Sequence, residues 1–389
     1  MTPCILFNGS TLLGPRTGIA HYVHTLAGAL AQDPSFDFRF YNGWRFAPQA
    51  VAAPHGESSR WLRMLYTSCA RFVPHARHLR RRCETPLFAL QAQRFSPHAL
   101  YHEPGFAALP YAGPMVMTVY DLSCFDHPDM HPAERVRLVE QHMPASLARA
   151  ERIIVISEAT GRALHTRFNI PTERIRRTYL AADACFHPRS AAAVAPVIAG
   201  FSLQAGAYVL SVGTLEPRKN LPALFAAYAG LPATLRRQFP LVVAGMKGWQ
   251  ENAALRFAAP LLQKGELRLL GYVSDDILPF LYAGAAAFVY PSRYEGFGLP
   301  PLEAMAAGIP VITSNQTSLP EIVGDAGVMV DPDDVDGLRE NLRQLLENRT
   351  YASDLGQRGL LRSRLFSWSR CISETKSVYE EILRDHKTP

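Results

Sequence analysis

The chain has 389 residues, 48% of them hydrophobic and 19% charged, enough for a large core and, at roughly 100–200 residues per domain, for two domains. Its longest apolar runs, such as AGAAAFVY (283–290), fall far short of the ~20 residues needed to span a bilayer, and MTPCILFNGS lacks the basic and apolar regions of an export signal. A net charge of +6 favours anionic partners such as nucleotides, phospholipids or nucleic acid, without choosing among them.

The strand-like run PCILFNG and the loop STLLGPRTG lead into IAHYVHTLAGAL, where Ile19, Tyr22, Val23, Leu26 and Leu30 share one face at helical spacing. Gly14 and Gly18 stand four apart ahead of that helix; this is not GxGxxG, and alone it reads as a tight turn. RWLRMLYTSCARFVPHARHLRRR (60–82) carries seven arginines interleaved with Trp61, Leu62, Met64, Leu65, Tyr66 and Phe72. It suits either a surface meeting anionic lipid or a solvated arginine-rich loop. In YHEPGF, Glu103 reads as an acceptor contact or as a turn residue. His102, His127 and His131 lie in irregular Pro-rich sequence without ligand spacing, which favours cleft lining or acceptor contact over a metal. The six cysteines (Cys4, Cys69, Cys83, Cys124, Cys185, Cys371) form no CxxC pair, the pattern of buried, reduced thiols in a cytoplasmic protein.

PMVMTVYDL (114–122) and RIIVIS (152–157) have the length and apolar continuity of buried parallel strands. The Ala- and Pro-rich stretch 186–206 marks a boundary, giving a first domain at 1–190, a linker at 191–206 and a second domain at 207–370. A fresh series of strand-like runs follows: AYVLSVGT, PLVVAGMKG, LRLLGYV, AAFVYPS, IPVITSN and GVMVDP. Helical segments, for instance 220–230 and 277–284, separate them, and a closing helix occupies about 371–385 within 371–389. Strands alternating with helices predict an α/β fold of two doubly wound parallel-sheet domains facing a cleft. Ligands gather at the carboxyl ends of such strands, which directs attention to loops 9–18, 120–131, 213–219, 245–249, 271–276 and 291–299.

Two of these loops carry chemistry. In YPSRYEGFGLPPLE, Gly296 and Gly298 permit close backbone approach. Pro300 and Pro301 suit a first helical turn, and the helix start would attract phosphate. Glu295 and Glu303 flank it, placed to accept hydrogen bonds from two sugars or, on the plainer reading, to cap and solvate a helix. In SVGTLEPRKN, Arg218 and Lys219 precede a helix, where adjacent cations oppose its dipole unless an anion binds; an ordinary surface ion pair is the alternative. The DPD at 331–333 matches a metal-binding D-x-D, but its place before a helix favours a turn and N-cap.

Together these elements resemble the retaining GT-B glycosyltransferases with an E-x7-E signature (glycosyltransferase family 4). EGFGLPPLE matches that signature and GTLEPRKN its diphosphate loop, while 271–332 is similar to the family's C-terminal domain almost throughout; TGIAHY and VISEAT look like weaker signatures. The resemblance implies two Rossmann-like domains, the last helix crossing back onto the first, and a nucleotide-sugar donor held by the second. It implies that Glu303 binds the ribose, and that Glu295, with backbone amides across Gly296, Phe297, Gly298 and Leu299, binds the donor sugar. Arg218 and Lys219, in the loop opened by Gly213 and Thr214, would neutralise the diphosphate. The Val273 backbone and Asp275 would lie near the base, and Gly18 would let the N-terminal loop approach the phosphate. No metal would be needed, because the cations and the helix dipole stabilise the departing diphosphate.

Two positions depart from the family pattern. Thr214 stands where many relatives have Arg, and Tyr120-Asp121 where His-Asp is common; a tyrosine there suits a donor altered at its 6-position, such as a 6-deoxyhexose. The resemblance points to GDP-mannose-using enzymes of surface polysaccharide synthesis. It implies GDP as the favoured nucleotide, UDP as the alternative, and a lipid-linked glycan acceptor at the inner membrane face, approached by 60–82. An oxidoreductase would need the absent dinucleotide fingerprint. A non-catalytic sugar-nucleotide-binding module draws only on the missing His-Asp pair, and nucleic-acid binding lacks a motif.

Overall fold

The computed structural model describes residues 2–13, 18–49, 76–95, 98–246, 248 and 251–386. A seven-stranded sheet holds β1 (Cys4–Asn8), β2 (Asp37–Tyr41), β3 (Phe46–Ala47), β4 (Leu100–Glu103), β5 (Met115–Val119), β6 (Arg152–Val155) and β7 (Ile175–Arg177), in the order β3-β2-β1-β4-β5-β6-β7. All its pairings are parallel except β2 with β3. A second, wholly parallel sheet holds β8 (Val209–Val212), β9 (Leu241–Ala244), β10 (Leu267–Gly271), β11 (Ala287–Tyr290), β12 (Val311–Ser314) and β13 (Val328–Val330), in the order β10-β9-β8-β11-β12-β13. Helices cover both faces, so central strands such as MVMTV and LVVA are buried at every residue. In each sheet the strand order reverses once, between β1 and β4 and between β8 and β11. These reversals open crevices at the carboxyl ends of the strands.

The stretch 191–206 is not a linker. Ser190 accepts a hydrogen bond from the Ala193 amide and caps the helix Ala191–Ile198, whose Val194 and Ile198 are fully buried beside Leu281 and Tyr282 in the second domain. The crossover therefore lies earlier, in the coil that follows β7. The chain returns after the helix Arg349–Ser363. Ser367 then caps Trp368–Asp385, which buries Cys371, Val378, Tyr379 and Ile382 against the first domain. Ion pairs from Arg152 and Arg176 to Glu381 fasten its far end.

His102 belongs to this packing, and its burial favours a structural role over acceptor contact. It lies in β4 with no exposed surface, Nε2 2.8 Å from Thr118 Oγ1 and Nδ1 2.6 Å from the Tyr379 hydroxyl. Burial pushes its pKa down to about 3, so the ring is neutral. Of the arginine-rich stretch, 60–75 lies outside the described residues. Arg81, in the helix Ala76–Ala92, donates to the Ala107 and Ala108 carbonyls at 3.1 and 2.8 Å and so docks that helix. Among the described cysteines Cys124 and Cys371 are buried, but Cys185 is exposed. No helix among the described residues is long and apolar enough to cross a membrane.

Tyr379→Phe would strand one ring nitrogen of His102. It is expected to lower the unfolding free energy by about 1–3 kcal/mol in urea titrations.

Candidate active site

The loops after β8 and β11 meet at the second sheet's reversal. Gly213 opens the first of them, and Gly245, after β9, crosses so close behind it that an added Cβ would lie 1.9 Å from the Gly213 carbonyl oxygen. Glycine at 245 lets the loops stack. Pro217–Lys219 form a short 3-10 turn, and Asn220 leaves it in the left-handed region (φ 54°), its side chain donating to the Pro332 carbonyl at 2.7 Å. The Ser292 hydroxyl and Arg293 amide both donate to the Arg218 carbonyl, at 2.9 and 2.8 Å.

Glu295 sits buried at the junction. Lys219 Nζ (2.7 Å), the Tyr290 hydroxyl (2.8 Å) and the Ser292 hydroxyl (2.6 Å) donate to its Oε1, and Arg218 Nη1 (2.8 Å) to its Oε2. Burial alone would raise its pKa, but Arg218 and Lys219 outweigh that and hold it down to about 2. Burial, reinforced by Arg218, pushes the Lys219 ammonium down against the pull of Glu295. The sequence suggested a cationic pair awaiting an anion. In the structure both cations are already matched, because Arg218 Nε also meets Glu216 at 2.6 Å. Two carboxylates and two cations cancel, so a diphosphate would have to exchange with Glu295 to reach them.

The glycine loop is fixed from behind. The Glu295 amide donates to the Thr317 hydroxyl (3.0 Å), and the Ser318 hydroxyl donates to the Glu295 and Phe297 carbonyls (2.9 and 2.8 Å). Gly298, at φ 110° and with Leu319 where a Cβ would go, precedes the helix Leu299–Ala306. The Phe297 ring turns away from the crevice and packs near Tyr179 and Phe366. One turn into the helix, Glu303 has a different setting. Burial lifts its carboxyl to about 7; the nearby Tyr282 hydroxyl and His21 ease it down, and Asp183 and Asp275 push it further up. Tyr282 influences Glu303 without closing a hydrogen bond to it. His21, from the first domain, is held 3.2 Å from Asp183, which also accepts from the Trp368 indole at 2.9 Å.

The first domain meets this loop through Tyr120 and Asp121. A Cβ on Gly296 would lie 2.1 Å from the Tyr120 carbonyl oxygen and 3.0 Å from Asp121 Cβ. The Tyr120 hydroxyl is committed to the Pro104 carbonyl at 2.7 Å. Asp121 accepts from the amide and hydroxyl of Ser123, whose Oγ lies 2.8 Å from His131 Nε2. His127 packs edge-on against Tyr294 of the second domain, ring centres 5.3 Å apart. Glu103 is buried at the first sheet's reversal, accepting from Asn8 at 2.8 Å and from Tyr101. Those partners are internal, which favours the structural reading of Glu103.

Other expectations sit further out. Val273 is buried and Asp275 lies in the turn after β10. Thr214 accepts the Glu216 amide through its carbonyl. A Cβ at Gly18 would touch nothing within 4 Å; residues 14–17 lie outside the described residues. DPD forms a turn in which Asp331 accepts the Asp333 amide, Asp333 pairs with Arg293, and Asp334 caps the next helix. Sequence reasoning missed Glu216, Tyr290, Ser292, Thr317 and Ser318. Tyr290 and Ser292, polar groups ending an apolar strand, were the signal available.

A model of the family "Glycosyl transferases group 1" matches residues 200–362. The O-antigen chain mannosyltransferase B of Escherichia coli is 36% identical over 388 residues, covering 97% of this chain and 99% of that protein. The chain belongs to the group 1 glycosyl transferases. Sucrose-phosphate synthase from Thermosynechococcus elongatus superposes with a TM-score of 0.73 at 20% identity, over 98% of this chain and 100% of that one. Anabaena HepE in complex with UDP and glucose gives 0.70 at 17%, over 97% and 99%. The two sheets are those of a GT-B fold, and the protein is a glycosyltransferase.

In this glycosyltransferase the Gly296–Tyr120 contact sets how closely the domains meet. Gly296→Ala would force them apart by an ångström or more, and is expected to cost on the order of 100-fold in kcat/KM for transfer while circular dichroism shows the fold retained.

Proposed function

We propose that this glycosyltransferase moves a hexose, mannose or a 6-deoxyhexose, from a GDP-linked donor to a growing lipid-linked glycan, with retention of configuration and without a metal. The reading rests on one observation above others: Glu295 locked to Arg218 and Lys219 at the β8–β11 reversal, beside a helix start, with a second carboxyl, Glu303, one turn deeper. The full-length likeness to a protein named as an O-antigen chain mannosyltransferase supports the sugar and the polymeric acceptor.

On this reading the donor works by partner exchange. Its diphosphate takes Arg218 and Lys219, and the released Glu295 accepts hydrogen bonds from sugar hydroxyls. As the glycosidic bond breaks, the two cations stabilise charge growing on the leaving diphosphate. Glu303 takes the ribose hydroxyls; it needs no cation because its partners are neutral donors. Asp275 and the Val273 backbone lie toward the base. The acceptor hydroxyl attacks from the face that the diphosphate leaves and passes its proton to the departing diphosphate oxygen, so the enzyme's contribution is positioning and charge stabilisation. Such an acceptor would be met at the cytoplasmic face of a membrane.

GDP at ~100 times its Kd would stabilise the wild type by about 2.7 kcal/mol. Glu303→Ala and Lys219→Ala should each lose that thermal shift, measured against their own unliganded midpoints. Unaltered shifts in both would remove this donor site, and a shift with UDP but not GDP would reassign the base.

The Glu303 carboxyl accepts from the ribose most strongly when ionised, and in the free protein burial raises its titration to about 7. Affinity for GDP-mannose, whose diphosphate does not titrate in this range, should therefore rise with pH through about 7 and level off above it. Below that point it should fall by up to about tenfold per pH unit. Calorimetry should find the Glu303→Gln variant weaker and flat with pH.

A further inference from the structure

The segment Thr317–Glu321 has no part in the donor contacts described above, yet it touches both halves of the active site. Thr317, in the left-handed region at φ 53°, and Ser318 hold the Glu295–Phe297 backbone through three hydrogen bonds. Three residues on, Glu321 reaches out of the second domain. Its Oε2 accepts the Glu158 amide and its Oε1 the Ala159 amide, each at 2.9 Å, and the Tyr179 hydroxyl donates to Oε2 at 2.9 Å. Glu158 and Ala159 open the first-domain helix Glu158–Phe168. There a carboxylate both satisfies orphan amides and meets the positive end of the helix dipole.

That helix start is also tied to the opposite wall. The Thr160 hydroxyl donates to the Tyr120 carbonyl at 3.2 Å, the same oxygen against which Gly296 packs. The Tyr179 ring lies under the Arg177 guanidinium at 3.9 Å, and Arg177 pairs with Glu158. Behind Glu321, Arg362 donates to the Glu321 and Ile322 carbonyls at 2.8 and 2.7 Å, anchoring the short helix Leu319–Val323 to the body of the second domain. A continuous chain of bonded groups thus runs from the Glu295 loop through Ser318 and Glu321 to the 158–160 turn, and back through Thr160 to Tyr120.

We infer that Glu321 is a positioning residue: an interdomain latch that grips the first-domain helix and sets the Glu295–Gly298 loop against the Tyr120–Asp121 wall for transfer. It contacts neither donor nor acceptor and acts through the register of the two domains. The inference uses the reading of 295–298 as the donor loop, and its test separates the two.

Glu321→Gln keeps the shape but loses the charge and one of the paired acceptor oxygens. Transfer kcat is expected to fall about tenfold or more, with donor KM within about twofold, because domain register matters after the donor has bound. Tyr179→Phe, which removes one bond of three, should show the same split with a smaller loss. A kcat that is unchanged or raised overturns the latch; so does a loss matched by an equal loss of donor affinity. Failure of the wild type to bind any GDP- or UDP-sugar would overturn the donor-loop reading instead. Small-angle scattering without ligand then decides the latch alone: an increased radius of gyration for Glu321→Gln supports it, and an unchanged one rejects it.

Discussion

The buried ion group around Glu295 is the constraint on which the rest of the site depends. Withdrawing a carboxylate and two cations from water carries a desolvation penalty of several kcal/mol per ion, and such a group survives only when every charge is closely matched. Here the match is supplied by two loops that follow different strands, with the Tyr290 and Ser292 hydroxyls filling the remaining positions on Oε1. Behind the β8 loop, glycine at 245 lets the backbone that follows β9 pass directly against Gly213. The strand order makes the meeting possible at all, since β8 and β11 are neighbours although nearly eighty residues separate them. The electrostatics of the site are therefore a consequence of sheet topology.

A site built this way has a defined response to an anionic ligand. The cations are matched, so a diphosphate gains little from net charge and must take over contacts that Glu295 holds. On the proposed reading, exchange of partners couples nucleotide arrival to release of the carboxylate. Binding energy is then directed to arranging the reacting groups rather than to tight ground-state binding, the use to which an enzyme best puts it.

Much of the fold was legible because parallel strands buried on both faces read as nearly continuous apolar runs; β5, β6, β9 and β11 do so. The exceptions have physical causes. The helix Ala191–Ile198 is rich in alanine with an internal proline, and its two anchors, Val194 and Ile198, give too little periodicity to distinguish it from a linker. His102 read as part of an irregular Pro-rich stretch because β4 is only four residues long; its burial depends on Thr118 and on Tyr379, which comes from the far end of the chain. At the site, Arg218, Lys219 and Glu295 stood out through local motifs. Their mutual neutralisation did not, because it is a contact between segments about 76 residues apart.

The two acids of the E-x7-E pattern show how little a motif says about charge. They flank one glycine-rich helix start, Glu295 buried in the loop and Glu303 half-buried in the helix that follows. Cations placed by a neighbouring loop hold Glu295 at about 2, while burial, with Asp183 and Asp275 nearby, lifts Glu303 to about 7. Burial acts on both in the same direction, so the difference comes from which charges each one faces. Spacing puts the two carboxyls at either end of one helix start; the surrounding fold assigns one as a fixed anion and leaves the other titrating at about 7. That division suits a ligand with a charged centre and a neutral polyol flank. It also explains why Glu303 needs the first domain: Asp183, at the crossover, and His21 approach it from that side. The second domain alone would hold the loop that carries Glu295, whereas His21 and Asp183 adjust the titration of Glu303 only when the two domains meet.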